Sequence, residues 1–391
     1  MDDNTQLIKI TKRLMLTLGI WDLDRNKSNT IKKMYHIYAI YYKTAMGIFG
    51  ALILFEVFRN IIERDGLDVL FLNIALFMDI ARINVKLYVF EKMDIFKLIK
   101  SFIKEEEKVW KFTDQKIHKV YAWYVKYCHY LVSMQFTSLA VTTVSHFVTH
   151  IYDNIKINNY NMKHNISLEA PKLYPIFFPN KNDHKVIIYI LNFIFGYECL
   201  LAPIVYILPT TCLVFCACQL SILQIKLEKL RDLAKTNYEG DIIKALKDLI
   251  KHHQFLIRFT MNLNDSIKYL ILVDFILSSI IDASIMTQIT KFETMSQILS
   301  STFYLLSLVI LIFSVGWTCN EISVQSIALA DAVYQSHWYE FDGATTKLIH
   351  ILMMRSQRPL TIGIGPFGAM GNEAVILIMK ATYSYITLMQ Q

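Results

Sequence analysis

Residues 359–366 read Pro-Leu-Thr-Ile-Gly-Ile-Gly-Pro, and they divide the end of the chain into two parts. The part before them places apolar residues on one face at the spacing of a half-buried helix: Leu348, Ile349, Leu352 and Met353. Proline and glycine end that helix, and Pro366 suits the first turn of the next one, where its missing N–H costs nothing. From Phe367 the chain is mostly apolar for about 25 residues, which is the length of one membrane crossing.

Long apolar blocks recur through the whole chain of 391 residues, of which 54% are hydrophobic. Soluble proteins contain about 45–50% apolar residues and divide them among domains separated by polar loops. Here the predicted spans are 35–61, 67–90, 120–149, 186–219, 266–290, 298–322 and 366–391, and Pro203 and Pro209 predict a kink in the fourth. The sequence therefore predicts an all-α integral membrane protein with seven transmembrane helices in one bundle.

The segments between the spans complete the predicted organisation. They are a cytosolic N-terminal segment at 1–33, a bundle of six helices at 34–341 with cytoplasmic helix extensions at 220–265, a cytoplasmic anchor helix at 342–360, and the last helix at 366–391. The connector 91–119 is charged and holds eight lysines, and the long polar loop 153–185 contains three prolines and is predicted to be too irregular to lie within the membrane. Within 1–33 we expect a short amphipathic helix on the inner membrane face and no cleaved signal peptide.

The distribution of basic residues predicts the orientation of the chain. The N-terminal segment and the loops on its side hold 27 Lys and Arg residues, whereas the opposite loops hold eight. The positive-inside rule therefore puts the N-terminus in the cytosol and the C-terminus outside, and the net charge of +7 indicates topology rather than nucleic-acid binding. Of the glycosylation sequons, only Asn165 lies in a predicted outer loop. The six cysteines fall inside predicted helices, so we expect no disulfide framework.

The sequence contains no enzyme constellation, and we expect no metal and no cofactor. His146 and His150 have the spacing of two zinc ligands but lack a third ligand. A small-molecule pocket, by contrast, needs apolar and aromatic walls with a few polar groups, and the predicted outer halves of spans two, three, four and six offer them. The candidate lining residues are Phe71, Ile74, Met78, Ser138, Thr142, Ser145, His146, Phe193, Tyr197, Leu201, Phe303, Tyr304 and Ser307, of which about half would face a ligand because a helix face carries only that share.

Ionisable residues within the spans are informative because each costs free energy in lipid. Asp79 and Arg82 share one face of the second span and are predicted to pair. The others are Lys86, Glu198, Asp274, Asp282 and Lys380. They either line water-filled passages or have a structural role, and for any single residue the sequence favours the structural role. That role is pairing between helices or, for residues near span ends such as Lys86, extension of the side chain toward the membrane surface.

The last span is the best candidate for a pore-lining helix. It mixes Ser384, Thr387 and Gln391 into an apolar run, so copies around a symmetry axis would turn hydroxyls toward water and leave Leu388 as a hydrophobic constriction. The alternative is an ordinary lipid-facing span with a frayed polar end. The helix extensions and the anchor helix each carry an apolar face outside the bilayer, which packs either on neighbouring subunits or only within one chain.

Three sequence blocks occur in the expected order near the C-terminus, at 336–339, 354–360 and 380–388. Together they resemble the signature of insect odorant receptors. The resemblance implies an odorant-gated, non-selective cation channel subunit in the plasma membrane of olfactory neurons, which assembles as a heterotetramer with the shared odorant receptor co-receptor. It further implies a gate at Leu388 with its outer mouth at Gln391. Subunit contacts are then expected in the anchor region, at Trp338, Tyr339, Leu352, Arg355, Arg358 and Pro359.

Two other functions remain open from the sequence. A gustatory receptor shares the architecture and has a similar tail, although the blocks at 338–339 and 355–360 favour the odorant branch. A membrane transporter belongs to a different class and would show internal repeats with half-helices at mid-membrane. The seven predicted spans have no self-similar halves, which argues against a transporter.

Overall fold

The computed structural model describes residues 6–21, 28–63, 67–92, 95–109, 114–165, 185–238, 240–289 and 294–389, and a few side chains within these ranges are outside the description. The described residues form helices α1 Lys9–Thr17, α2 Asn29–Glu63, α3 Leu67–Lys92, α4 Ile95–Val109, α5 Gln115–His164, α6 Lys185–Leu201, α7 Ile204–Glu228, α8 Leu230–Asn237, α9 Ile242–Ile289, α10 Met295–Tyr334, α11 Gly343–Ser356 and α12 Asn372–Met389. A 3-10 turn at Trp338–Glu340 precedes α11.

The predicted all-α membrane fold is confirmed, and a helix occupies each predicted span. Within the described residues, five helical segments are long and apolar enough to cross a membrane: Asn29–Glu63, Gln115–His164, Ile190–Glu228, Ile242–Met286 and Met295–Glu340. The second and seventh predicted spans correspond to α3 and α12, which fall outside that set of five. Seven crossings, and the side of the membrane on which each terminus lies, stay predictions.

Helix α7 forms the centre of the bundle. It packs against α10, α5 and α9, and nearly all of its residues from Ile204 to Leu227 are buried. A helix that is apolar on every side is stable only when other helices surround it. The chain breaks between α6 and α7 at Pro203, which confirms the predicted kink there, whereas Pro209 lies inside α7 without ending it.

Two predicted connectors contain regular helix. Residues 95–109 form α4, which buries Ile99 and Phe102 and exposes Lys100, Lys104 and Lys108, so this charged segment is an amphipathic helix. Helix α5 continues through the first part of the predicted loop 153–185 and ends at His164. Asn165 caps it with a left-handed φ of 56°, a conformation that asparagine tolerates better than most residues. The predicted glycan site therefore lies at an exposed helix end, and the rest of its sequon is outside the described residues.

The N-terminal helix α1 packs into the bundle instead of lying on a membrane surface. Leu7, Met15 and Leu18 are buried in the main core, and α1 contacts α7. The Thr11 hydroxyl lies 2.7 Å from the hydroxyl of Thr211. The sequence predicted the apolar face correctly, but periodicity does not show whether lipid or protein covers such a face.

The last helix begins later than the sequence predicts. Pro366 does not open it, because residues 361–371 form a small hairpin in which the Met370 N–H donates to the Ile362 carbonyl at 2.7 Å. Gly365 and Gly368 supply positive φ angles of 52° and 120° for its turn. Helix α12 therefore comprises the 18 residues Asn372–Met389, rather than about 25.

The apolar faces of the predicted cytoplasmic extensions are covered mainly within one chain. Leu220, Leu223, Leu227 and Leu230 are buried, and so are Ile349 and Leu352 of α11. Asp241 caps the second extension as predicted, since it accepts a hydrogen bond from the Lys244 N–H at 2.9 Å, and that extension is continuous with the fifth span as α9.

Helix α11 has one covered face and one open face. Leu352, which we expected at a subunit contact, is 4% exposed, whereas Ile351 and Met354 are about 60% exposed. Leu352 is therefore covered within the chain, and the subunit contacts expected around α11 stay a prediction.

A buried carboxyl group joins α1, α4 and α5. Glu106 is fully buried, and its Oε1 accepts hydrogen bonds from the Leu7 N–H at 2.8 Å and from the Tyr121 hydroxyl at 2.5 Å. Its Oε2 has no hydrogen-bond partner among the described residues. Burial raises the pKa of Glu106 from 4.5 to about 7, although the two hydrogen bonds act in the opposite direction.

This raised pKa predicts that stability falls as the pH rises from about 4.5 to about 7, because the unfolded chain releases the proton first. The loss amounts to at most about 3 kcal/mol, at 1.36 kcal/mol for each pKa unit. Glu106→Gln, which is neutral at every pH, should flatten the pH dependence of thermal unfolding of the purified protein. Glu107→Gln, at the exposed neighbouring position, is the control. Identical pH profiles for wild type and Glu106→Gln would contradict the assignment.

Candidate functional site

Polar side chains join α5 and α10 near the end of the bundle where α10 begins. The Thr142 hydroxyl donates to the Phe303 carbonyl at 3.1 Å, and the Thr149 hydroxyl donates to the Ser296 carbonyl at 3.3 Å. Between them, the Ser300 hydroxyl lies 3.0 Å from His146 Nδ1 and 3.4 Å from the Ser145 hydroxyl. We call this set of contacts the α5–α10 seam.

The seam follows from matched spacing on two helices. Thr142, Ser145, His146 and Thr149 recur at helical intervals along α5, and Ser296, Ser300 and Ser307 do so along α10. Small hydroxyl residues allow membrane helices to approach closely and to hydrogen-bond across their interface. The sequence pointed to the α5 side of the seam, but Ser296 and Ser300 were missed, because their role depends on which helix α10 faces.

A groove of about 830 Å³ lies against the seam, a volume within the range of ligand sites. It is lined by Ala140, Val141, Val144, Ser145, Val148, Thr149, Tyr152, Lys156, Thr294, Met295, Ser296, Leu299 and Ser300. Val144 and Val148 are more than half exposed, so the groove is open on the flank of the bundle. Of the predicted pocket residues whose side chains the structure describes, only Ser145 lines it directly.

The structure brings several of the other predicted pocket residues close to the seam. Met78 and Tyr304 pack on a small apolar cluster that includes Ala75, Tyr206 and Ile281. The ring of Tyr304 lies 6.0 Å from that of His146, edge to face. The remaining ones are buried or partly buried: Ile74, Ser138, Leu201, Phe303 and Ser307.

Two predicted pocket residues lie elsewhere. Helix α6 buries the stripe formed by Asn192, Phe195 and Glu198, so Phe193 and Tyr197 face away from the bundle and are 74% and 47% exposed. The sequence did not reveal this, because the polar residues Asn192 and Glu198 lie on the buried face of α6, and no polar stripe marks its outer side. The side chain of Phe71 lies outside the described residues.

Below the seam, four ionisable side chains form what we call the ion cluster: Asp79, Arg82, Lys86 and Asp274. Arg82 pairs with Asp79, as predicted from their spacing on α3, and Lys86 Nζ lies 2.6 Å from Asp274 Oδ2. Arg82 and Lys86 are at most 5% exposed. Two positive and two negative charges leave the cluster neutral, which confirms the pairing interpretation for these four residues.

Aromatic residues and a hydroxyl complete the surroundings of the ion cluster. Lys86 Nζ lies 3.5 Å from the ring centre of Tyr206, a cation–π contact. The Tyr304 hydroxyl donates to Asp79 Oδ2 at 2.9 Å. Removing one partner of a buried ion pair costs about 3–5 kcal/mol, whereas a hydrogen bond to a charged group contributes about 1.5–3 kcal/mol. The Tyr304–Asp79 bond, like the 3.2 Å bond from Arg82 Nη1 to the Ser278 hydroxyl of α9, is therefore weaker than the ion pairs of the cluster.

Helix α12 packs on α9 and α10 through one face, which buries Val375, Ile378 and Thr382. Its other sides are exposed in the single chain, and they carry Lys380, Ser384 and Thr387. Two of the predicted pore residues, Ser384 and Thr387, are thus on the surface that remains open to lipid or to another subunit. The side chain of Leu388 and all of Gln391 lie outside the described residues.

Gly316 sets the distance between α10 and α12. A Cβ atom at this position would lie 2.3 Å from Val375 Cγ2 and 3.3 Å from the Gly371 carbonyl. Even alanine would therefore push the start of α12 away from α10. The contact connects the helix that forms half of the seam with the candidate pore helix.

A membrane-embedded helical bundle with an apolar, hydroxyl-rimmed groove is the architecture of a small-molecule receptor. The chain matches the family profile described as "7tm Odorant receptor" over residues 68–383. It therefore belongs to the odorant receptor family, and it is a receptor rather than an enzyme. This membership favours the odorant branch over the gustatory and transporter alternatives.

Known relatives agree with this assignment. The chain is 25% identical to Odorant receptor Or2 of Anopheles gambiae over 46% of its length, and 25% identical to Odorant receptor 10 of Aedes albopictus over 56%. These matches span 49% and 60% of the relatives' own lengths. The structure of the insect olfactory receptor OR5 from Machilis hrabei in complex with eugenol is similar, with a TM-score of 0.74, 16% identity and full coverage of both chains. That likeness shows the fold.

The tight packing at Gly316 predicts that Gly316→Ala destabilises the protein by about 1–3 kcal/mol, the usual cost of overpacking. Adding Val375→Ala to it should restore part of that loss, since it removes the Cγ2 atom that the new methyl group would meet. Thermal unfolding of the purified variants measures both effects. Gly47→Ala is the control, because a Cβ atom there would meet nothing within 4 Å. Equal stability of Gly316→Ala and Gly47→Ala would contradict the close contact.

Proposed function

We propose that this protein is a subunit of an odorant-gated, non-selective cation channel that works with the shared odorant receptor co-receptor. The observation that carries the proposal is the α5–α10 seam, which presents hydroxyl groups and an imidazole beside an apolar groove of about 830 Å³. Family membership supports the odorant as the ligand, and eugenol, bound by the Machilis hrabei receptor, illustrates its chemistry.

A volatile ligand suits the chemistry of this site. Burial of an apolar ligand contributes about 25 cal/mol for each Å² removed from water, and the valines and Leu299 supply the walls. Ser145, His146 and Ser300 offer a small number of donors and acceptors. One added hydrogen bond of about 1 kcal/mol changes affinity about five-fold, so these three side chains would adjust selectivity among ligands of similar shape.

The pore would be formed by copies of α12 around a common axis. Ser384 and Thr387 lie on its exposed surface, and the resemblance to odorant receptors assigns the gate to Leu388 and the outer mouth to Gln391. Val375 and Ile378 attach the opposite face to α9 and α10, so movement in those helices would reach the pore. In this arrangement the protein would lie in the plasma membrane, with its N-terminus in the cytosol and its C-terminus outside the cell.

Subunit contacts would form through the region around α11. Tyr339, Arg358 and Pro359 are exposed, whereas Trp338 is held partly buried against the ring of His350 at 5.0 Å. Arg355 Nη1 donates to the Arg358 carbonyl at 3.1 Å, which fixes the end of α11. Ile351 and Met354 add an exposed apolar surface that neighbouring subunits would cover.

The proposal predicts odorant-evoked current only when this chain and the co-receptor are expressed together. Whole-cell recording across a panel of volatile alcohols, esters and phenols measures it, with each chain alone as the control. Current carried by Na⁺ and K⁺ alike is expected, because the exposed surface of α12 toward its C-terminal end offers the hydroxyls of Ser384 and Thr387. The absence of any evoked current from the combined chains, both present at the cell surface, would refute the channel proposal.

The seam predicts that Ser300→Ala changes ligand preference. Loss of the hydroxyl beside His146 should alter the half-maximal concentration of odorants bearing a hydroxyl or carbonyl about five-fold, corresponding to about 1 kcal/mol. Odorants without a polar atom should change much less. Ser301→Ala, at the next position on α10, provides the comparison. An equal shift for both variants, or for both kinds of odorant, would place ligand recognition elsewhere.

A further inference from the structure

The ion cluster lies where five helices meet. Asp79, Arg82 and Lys86 come from one face of α3, and Asp274 comes from α9. Tyr206 of α7 covers Lys86, and Tyr304 of α10 donates its hydroxyl to Asp79. The fifth helix, α12, reaches the cluster from the other side.

The contact with α12 is made across a small cavity. The cavity has a volume of about 30 Å³, and its lining includes Arg82, Asp274, Met370 and Ile378. Arg82 Nε and Asp274 Oδ1 lie 3.7 Å apart, and neither has a hydrogen-bond partner among the described residues. Most of the lining is apolar, but the space is large enough for one water molecule, which would bridge the two polar groups beside α12.

We propose that the Tyr304–Asp79 hydrogen bond is the joint through which occupancy of the odorant site biases the ion cluster and, through it, α12. The ring of Tyr304 contacts the ring of His146 in the seam, and its hydroxyl donates to Asp79 in the ion cluster. The inference rests on the proposed function, because it concerns how the same site would open the same pore.

The relative strengths of the ion pairs and of the Tyr304–Asp79 hydrogen bond identify that hydrogen bond as the joint. The ion pairs of the cluster are buried and mutually neutralised, so they hold α3 and α9 together as one unit. The Tyr304 bond has a neutral donor, so it is exchanged more easily than the ion pairs, and it joins the cluster to α10, whereas the other neutral partner, Ser278, lies on α9. A ligand that displaces the Tyr304 ring, or competes for its hydroxyl, would break this hydrogen bond and leave Asp79 paired with Arg82 alone. The charged groups beside Ile378 would then shift.

Tyr304→Phe tests the joint, since it removes the hydroxyl and keeps the ring. The probe is the agonist selected on wild type from a panel of volatile alcohols, esters and phenols, applied at saturation so that affinity does not enter. The expected result is a fall of at least about five-fold in the ratio of evoked to basal current, at unchanged surface expression. Tyr206→Phe is the matched control, because that hydroxyl is buried without a hydrogen-bond partner among the described residues. It should leave the ratio within about two-fold of wild type.

A second variant shows whether the effect passes through Asp79. If it does, Tyr304→Phe should add nothing to Asp79→Asn in the double variant. Equal ratios for Tyr304→Phe and Tyr206→Phe, or independent multiplicative effects of Tyr304→Phe and Asp79→Asn, would overturn the joint. If Asp79→Asn fails to reach the cell surface, the comparison of the two tyrosine variants decides. Wild type that gives no evoked current would refute the proposed function instead, so the two failures are distinguishable.

Discussion

Burial of α7 on every side is the constraint on which the rest of the bundle depends. A helix with no polar face has no stable position at a surface, so α5, α9 and α10 must close around it. This closure determines which residues of α5 and α10 can face each other, and it brings the serine, threonine and histidine side chains of the seam into register. It also places Tyr206 against the ion cluster, because α7 carries that residue in its first turn.

The ion cluster shows how such a bundle accommodates charge. Charged groups in a low-dielectric interior are tolerated when they are paired and hydrogen-bonded, and two basic and two acidic side chains meet that condition here. The cluster is strong within itself and is attached to α10 by a single neutral donor. A rigid, neutral unit with one exchangeable link is a physical arrangement that allows a few kcal/mol of ligand binding to affect helix positions without unfolding the interior.

The position of every predicted span was readable from the sequence, since long apolar blocks have few alternatives, and Asp241 and the Asp79–Arg82 pair followed from local spacing. The predictions that failed concern features that depend on tertiary contacts. The apolar face of α1 is covered by protein instead of lipid, and Phe193 and Tyr197 face outward, because the polar residues of α6 lie on its buried face and no polar stripe marks its outer side. The sequence predicted that the last helix starts at Pro366, but a hairpin forms there instead. Its glycines adopt positive φ angles, which the proline signal for a helix start does not predict. Likewise, Ser296 and Ser300 gain their role only from the partner helix.

The length of α5 has a consequence for access to the groove. From Lys156, the last residue of α5 that lines the groove, the helix continues for 8 residues to His164, or about 12 Å. A sugar chain on Asn165 would thus be attached beyond the groove rather than within it. The opening itself is on the side of the bundle rather than at its tip, with valine side chains at its edge. An oily molecule that first dissolves among lipid tails would therefore reach the receptor by lateral diffusion, so its effective concentration would depend on its partition coefficient as well as on its abundance in water.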